Sequence, residues 1–98
     1  MSHPKISDII KQRPNFASEP VNGERILVPV RGRMAEFNTM LTLNPSASVL
    51  WEAINEQTTI ESLVEALTNK YEVDRETARA DVNEFIDELH TFMTSVPN

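Results

Sequence analysis

The side chains that could do chemistry in this 98-residue chain are few and scattered. Its two histidines, His3 and His90, stand far apart, and the absence of cysteine removes thiol nucleophiles and thiolate metal ligands. Ser46 and Ser48 follow the helix-start pair Asn44-Pro45, which makes them first-turn residues rather than nucleophiles. Two glycines cannot build a phosphate-cradling loop. We therefore predict a protein that is not an enzyme and binds no cofactor.

Four carboxylates fall close together near the C-terminus and could be interpreted as paired acids or a calcium cluster: Asp81, Glu84, Asp87 and Glu88. The stretch lacks the ligand spacing of a calcium loop. Exposed carboxylates on a helix usually form a solvated face. We expect no metal site here.

Composition indicates one domain, because 98 residues leave no room for a second core. The apolar runs are too short to cross a bilayer, and the first fifteen residues resemble neither a signal peptide nor a transit peptide. We expect a cytoplasmic protein that does not bind membranes.

Charge is divided unevenly along the chain, whose net charge is −6. Residues 1–33 hold six Lys or Arg against three Asp or Glu, whereas residues 34–98 hold three against twelve. An acidic C-terminal half disfavours nucleic acid, because DNA binding requires Lys and Arg that neutralise phosphates.

The first half of the chain has the pattern of strands. Phe16–Val21 and Arg25–Val30 flank Asn22-Gly23, a strong signal for a tight hairpin turn. Pro29 cannot donate to a ladder, so we place it at a strand end, an edge or a bulge. Alternating apolar residues predict a third strand at Glu36–Leu43.

Three helices follow these strands. The first begins at Asn44-Pro45, and the second at Thr58, whose side chain we expect to face Glu61 in a capping box. Asp74 precedes the last helix, which an apolar stripe carries to about Thr94. Strands followed by helices indicate an α+β fold: a three-stranded antiparallel sheet, then three helices, similar to a winged-helix domain.

The N-terminal segment carries few apolar residues and is bracketed by Pro4 and Pro14. We predict a flexible arm over residues 1–15, with at most one helical turn at Ser7–Lys11, and a single domain over residues 16–96. A free arm beside an open sheet edge would also permit a strand-swapped homodimer.

Three stretches, taken in order, resemble the PqqD family over about residues 16–93. Each motif recurs in many proteins, so the likeness depends on their shared order and spacing. The stretches are Ile26–Val30 leading to Phe37-Asn38; Leu43–Trp51; and Thr58–Leu63 with Leu67, Tyr71, Val73-Asp74 and Asp81-Val82.

This resemblance implies a function. PqqD proteins bind the leader segment of a ribosomally made precursor peptide and present it, as peptide chaperones, to a modifying enzyme, often a radical SAM enzyme. The leader adds a strand beside the third strand and packs against the third helix. Carried over, the expected peptide contacts here are Phe37, Asn38, Thr39, Met40, Leu41, Arg79, Val82, Asn83, Ile86 and His90.

Two other functions stay open. Winged-helix domains often bind DNA, but the last helix from Asp74 to Thr94 has a net charge of −4 and would be repelled by phosphates. A protein–protein adaptor that uses the acidic face cannot be separated from a peptide-binding domain by sequence. Strand addition itself is compatible with the sequence, because no proline lies between Phe37 and Leu43.

Overall fold

The computed structural model describes residues 3–31, 34–35 and 40–95. The fold is α+β, as predicted. Its elements in chain order are α1 (Pro4–Gln12), a 3-10 turn (Arg13–Asn15), β1 (Phe16–Val21), β2 (Glu24–Arg31), β3 (Met34–Ala35), β4 (Leu41–Leu43), α2 (Pro45–Ala53), α3 (Ile60–Lys70) and α4 (Arg75–Ser95).

The sheet is antiparallel and has β2 at its centre. β1 pairs along one side of β2, while β3 and β4 pair along the other side as two short pieces. Of the single third strand expected at Glu36–Leu43, β4 covers Leu41–Leu43, and residues 36–39 lie outside the described residues.

The hairpin between β1 and β2 confirms the turn prediction. Asn22 and Gly23 have φ of 52° and 84°, the left-handed region that this two-residue turn requires. Pro29 is buried opposite Phe16. Along β2, the pairing with β4 ends at Leu27 and the pairing with β3 begins at Val30. Pro29, which has no N–H to donate, therefore lies between the two paired stretches.

The N-terminus differs from the prediction: α1 runs from Pro4 to Gln12, so the described chain has four helices rather than three. His3 accepts a hydrogen bond from the Lys5 N–H, and Pro4 occupies the first turn, where a missing N–H costs little. Ile6 and Ile9 are fully buried in the shared core. The domain boundary at residue 15 stays a prediction.

Arg13 fastens the N-terminal segment to α2. Its guanidinium donates to the Ile54 carbonyl at 2.6 Å and to the Trp51 carbonyl at 3.3 Å, and its carbon lies 4.4 Å from the centroid of the Trp51 ring. These bonds go to carbonyls at the C-terminal end of α2, where the Trp51 carbonyl also accepts the Ile54 N–H. Burial, together with the nearby charge of Arg25, lowers the pKa of Arg13.

The helix starts are capped, although one cap differs from the prediction. Asn44 accepts a hydrogen bond from the Ala47 N–H at 2.8 Å, as expected for α2. The capping box of α3 joins Thr59 and Ser62 rather than Thr58 and Glu61. Thr58 cannot cap, because its buried hydroxyl donates to the Ala53 carbonyl and accepts from the Asn55 N–H.

The core lies between one face of the sheet and the four helices. It is formed by apolar residues from β2, β4 and every helix: Ile6, Ile9, Leu27, Leu43, Leu50, Trp51, Ile54, Leu63, Val64, Leu67, Ala78, Val82, Phe85, Ile86, Leu89 and Met93. Within the described residues, no helix is both long and apolar enough to cross a membrane. The likeness to a winged-helix domain stays a prediction.

Candidate functional site

Within the described ranges, the strand β4 is paired along one of its two edges. Its three residues pair with β2 through Leu41 with Leu27, Thr42 with Ile26, and Leu43 with Arg25. Among the residues that the structure describes, no strand pairs with the opposite edge of β4. Because alternate residues of an antiparallel strand direct their N–H and C=O groups to opposite sides, that edge carries main-chain groups available to another strand.

A groove of about 270 Å³ lies beside this edge, between β4, the start of α2 and the middle of α4. Its apolar surface comes from residues that are buried or half-buried, so the groove opens directly onto the core. These residues are Leu41, Leu43, Ala47, Leu50, Leu67, Phe85 and Leu89. An extended segment lying along β4 could insert apolar side chains here.

One rim of the groove is acidic. Asp81, Glu84 and Glu88 line it from α4, and all three side chains are exposed. Their spacing of three and four residues places them along one stripe of the helix. The other polar lining is uncharged and comes from Thr42, Asn44 and Ser46. We call Asp81, Glu84 and Glu88 the acidic rim.

The acidic rim has no internal cation partner in the described part of the chain, although other carboxylates do. Glu61 forms ion pairs with both Arg75 and Arg79. The hydrogen bond from Arg79, and to a smaller extent the one from Arg75, lowers the pKa of Glu61. Asp87 lies 2.6 Å from Lys5, whose hydrogen bond lowers the pKa of that carboxyl. The chain therefore uses these cations away from the groove.

The strand residues expected to contact a peptide are only partly described. Leu41 lies in the groove, where it is half-buried. Met40 directly precedes β4 and is 47% exposed. The other three, Phe37, Asn38 and Thr39, lie outside the described residues.

The five residues expected on the last helix lie away from the groove. Val82 and Ile86 are 0% and 1% exposed and belong to the core, so this structure leaves them no free surface. Arg79 is paired with Glu61 on α3, and His90 Nε2 lies 2.9 Å from Asp8 Oδ2 on α1. Asn83 is exposed but does not line the groove.

The α4 side chains that do line the groove were not among the expected contacts: Asp81, Glu84, Phe85, Glu88 and Leu89. The sequence favours a solvated face for three of them, Asp81, Glu84 and Glu88. A usable signal is present, because helical spacing places all five residues on one continuous face, with the acidic side chains on one side of it and Phe85 and Leu89 on the other.

Comparison with known proteins supports the family assignment. The model of the family described as Coenzyme PQQ synthesis protein D (PqqD) matches residues 24–91, from β2 through most of α4. A solved structure of similar fold is TbiB1 in complex with the TbiA(beta) leader peptide, with 25% sequence identity, a TM-score of 0.62, and coverage of 76% of this chain and 81% of that one. No curated protein matches. The chain belongs to the PqqD family.

Proposed function

We propose that this protein binds the leader segment of a ribosomally made precursor peptide in the groove beside β4, and that the leader adds a strand to the sheet. The observation that carries the proposal is the open edge of β4 next to an apolar groove. The proposal gains support from the PqqD family match and from the similarity to TbiB1, which was solved with a leader peptide.

Strand addition divides the work of recognition between two parts of the site. Hydrogen bonds to the edge of β4 supply affinity that depends little on the guest's sequence. The groove supplies selectivity, because it accepts guest side chains that fit against Leu43, Phe85 and Leu89. Met40 and Leu41 remain as proposed strand contacts, and α4 contributes its groove-facing side.

The protein itself then acts as a non-catalytic carrier. Members of its family present the leader to a separate enzyme, and we propose a radical SAM enzyme as that partner and the cytoplasm as the location. We also propose that homodimers could form by strand pairing at the open edge of β4. DNA binding gains no support, because the exposed carboxylates of α4 would repel phosphates.

Backbone amide shifts test the proposed site. The probe is a peptide selected from a random displayed library against the intact protein, titrated into the isotopically labelled protein. We expect shifts at Leu41–Leu43 and on the groove face of α4. Shifts confined to α2 or α3, with β4 unaffected, would refute the site. A library that yields no binding peptide at all would count against the function.

A further inference from the structure

We infer that the groove selects guests with a particular side-chain pattern: on the guest face that meets α4, lysine or arginine occurs at two alternate positions of the chain and is accompanied by an apolar residue on the same face. This inference rests on the proposed function and names the chemistry of its ligand. It is carried by the juxtaposition of the apolar groove surface with the acidic rim of Asp81, Glu84 and Glu88.

The spacing of the rim matches an extended guest. Glu84 and Glu88 are four residues apart on α4, which places them about 6 Å apart along the helix axis. Side chains on one face of a strand repeat every second residue, at about 6.6 Å. Two cations at alternate guest positions would therefore meet these two carboxylates in register, and Asp81 extends the stripe by almost one helical turn.

The burial of the groove explains why the cation should be accompanied by an apolar neighbour. Phe85 and Leu89, which lie beside the acidic rim on the same face of α4, are 8% and 0% exposed and provide an apolar surface next to the carboxylates. A guest apolar side chain covers that surface. The aliphatic stem of a lysine or arginine can also lie across it while its charged end reaches the rim.

The charge balance of the protein favours the same partner. Lys5, Arg25, Arg75 and Arg79 are each paired with a carboxylate outside the groove, and Arg13 is bonded to carbonyls of α2. The carboxylates of the acidic rim therefore have no cation partner among the described side chains, and their mutual repulsion falls when a cationic guest binds. A carboxylate on the same guest face would be rejected.

The test compares peptide selections against three proteins. The first is the unchanged chain. The second carries Asp81→Asn, Glu84→Gln and Glu88→Gln. The control carries Glu56→Gln, Glu65→Gln and Glu72→Gln, which removes the same charge from exposed positions that do not line the groove. Thermal unfolding of each protein confirms that it is folded.

We expect the unchanged chain and the control to enrich peptides with lysine or arginine at two alternate positions and an apolar residue on the same face. The rim variant should lose the cationic preference and should bind those peptides about tenfold more weakly, in line with the loss of two exposed ion pairs. For the unchanged chain, high salt should reduce the affinity.

Two failures are distinguishable. Peptides that bind and shift the amides of Leu41–Leu43, yet carry no cationic preference, would overturn this inference and leave the proposed function intact. Failure to select any peptide would overturn both. Equal weakening in the rim variant and the control would also overturn the inference, because it would show a general effect of net charge.

Discussion

Thr58 shows how a single buried hydroxyl fixes the turn between α2 and α3. It is 4% exposed, and its Oγ1 lies 3.0 Å from the Ala53 carbonyl oxygen and 2.8 Å from the Asn55 nitrogen. Ala53 is the last residue of α2 and Asn55 belongs to the turn, so the hydroxyl joins the helix end to the turn. The conformation of this turn determines where α3 starts, and α3 carries the groove residue Leu67.

Replacing Thr58 by valine should destabilise the protein by about 1–3 kcal/mol, because the shape is kept while the Ala53 carbonyl and Asn55 N–H lose their partner. Urea unfolding measures the change. Thr68→Val is the matched control: Thr68 is bonded only to the carbonyl of Glu65 on the exposed side of α3, so we expect a change below about 0.5 kcal/mol. Equal effects at the two positions would contradict the role given to Thr58.

Ala47 offers a direct way to fill the groove. It is half-buried at the start of α2 and lines the groove opposite α4. Phenylalanine at this position should occupy the space that a guest side chain needs and weaken binding of a selected peptide about tenfold or more. Fluorescence anisotropy measures the affinity. Ala80→Phe, on the exposed side of α4, is the control and should bind normally; unchanged binding by Ala47→Phe would place the peptide elsewhere.

The helix residues of the site illustrate what sequence can and cannot provide. The apolar stripe of α4 was predicted, and its core members Val82 and Ile86 are buried as a stripe requires. Residues on either side of the apolar stripe could face the sheet, and the sequence alone does not show which side does. The expected flank and the groove-facing residues differ by roughly 150° around the helix axis. Only the packing of α1 and α3 against the first flank decides between them.

At the scale of elements, α1 is the main departure from expectation. The segment carries few apolar residues and is bracketed by prolines, a pattern that predicts a flexible arm. Pro4 instead starts the helix, and Pro14 lies in the 3-10 turn that follows it. The family match begins at residue 24 and so does not include α1 or β1. The helicity of α1 depends on tertiary packing against α4, which local helix propensity does not reveal.

Two isoleucines of α1 test whether the helix is part of the folded unit. Ile9 is fully buried, whereas Ile10 is half-buried at the edge of the core. Ile9→Ala should lower the free energy of unfolding by about 2–4 kcal/mol, and Ile10→Ala by clearly less. Urea unfolding gives both values. If neither substitution changed the stability, residues 1–15 would be a flexible arm, as the sequence suggested.

The ion pair between Lys5 and Asp87 adds a pH dependence to the docking of α1. Because Lys5 lowers the pKa of Asp87 in the folded state, the contribution is present above the ordinary value of 3.8 and is lost as pH falls through the lowered pKa. Asp87→Asn should therefore reduce the loss of stability on acidification below about pH 4. Lys5→Met should act in the same way, and the double variant should add nothing further. Additive effects would contradict a direct pair.

At the scale of the whole molecule, local signals predicted most of the fold. Asn22-Gly23 specified the hairpin, and Asn44-Pro45 specified the start of α2. Local signals did not predict how the elements are arranged: β3 and β4 pair with successive parts of one side of β2, and α1 packs on α4. The pairing of β4 with β2 and the packing of α1 on α4 depend on contacts between residues distant in sequence, which leave no mark in a local pattern.

The proposed function depends on that arrangement, because β4, α2 and α4 form a groove only when all three are packed together. The most direct test is a scan in which each backbone N–H of a selected peptide is replaced in turn by N–CH₃. Strand addition to β4 predicts that every second substitution weakens binding about tenfold, since alternate N–H groups of the guest face the strand. Equal tolerance at all positions, or sensitivity at every third or fourth residue, would contradict strand addition.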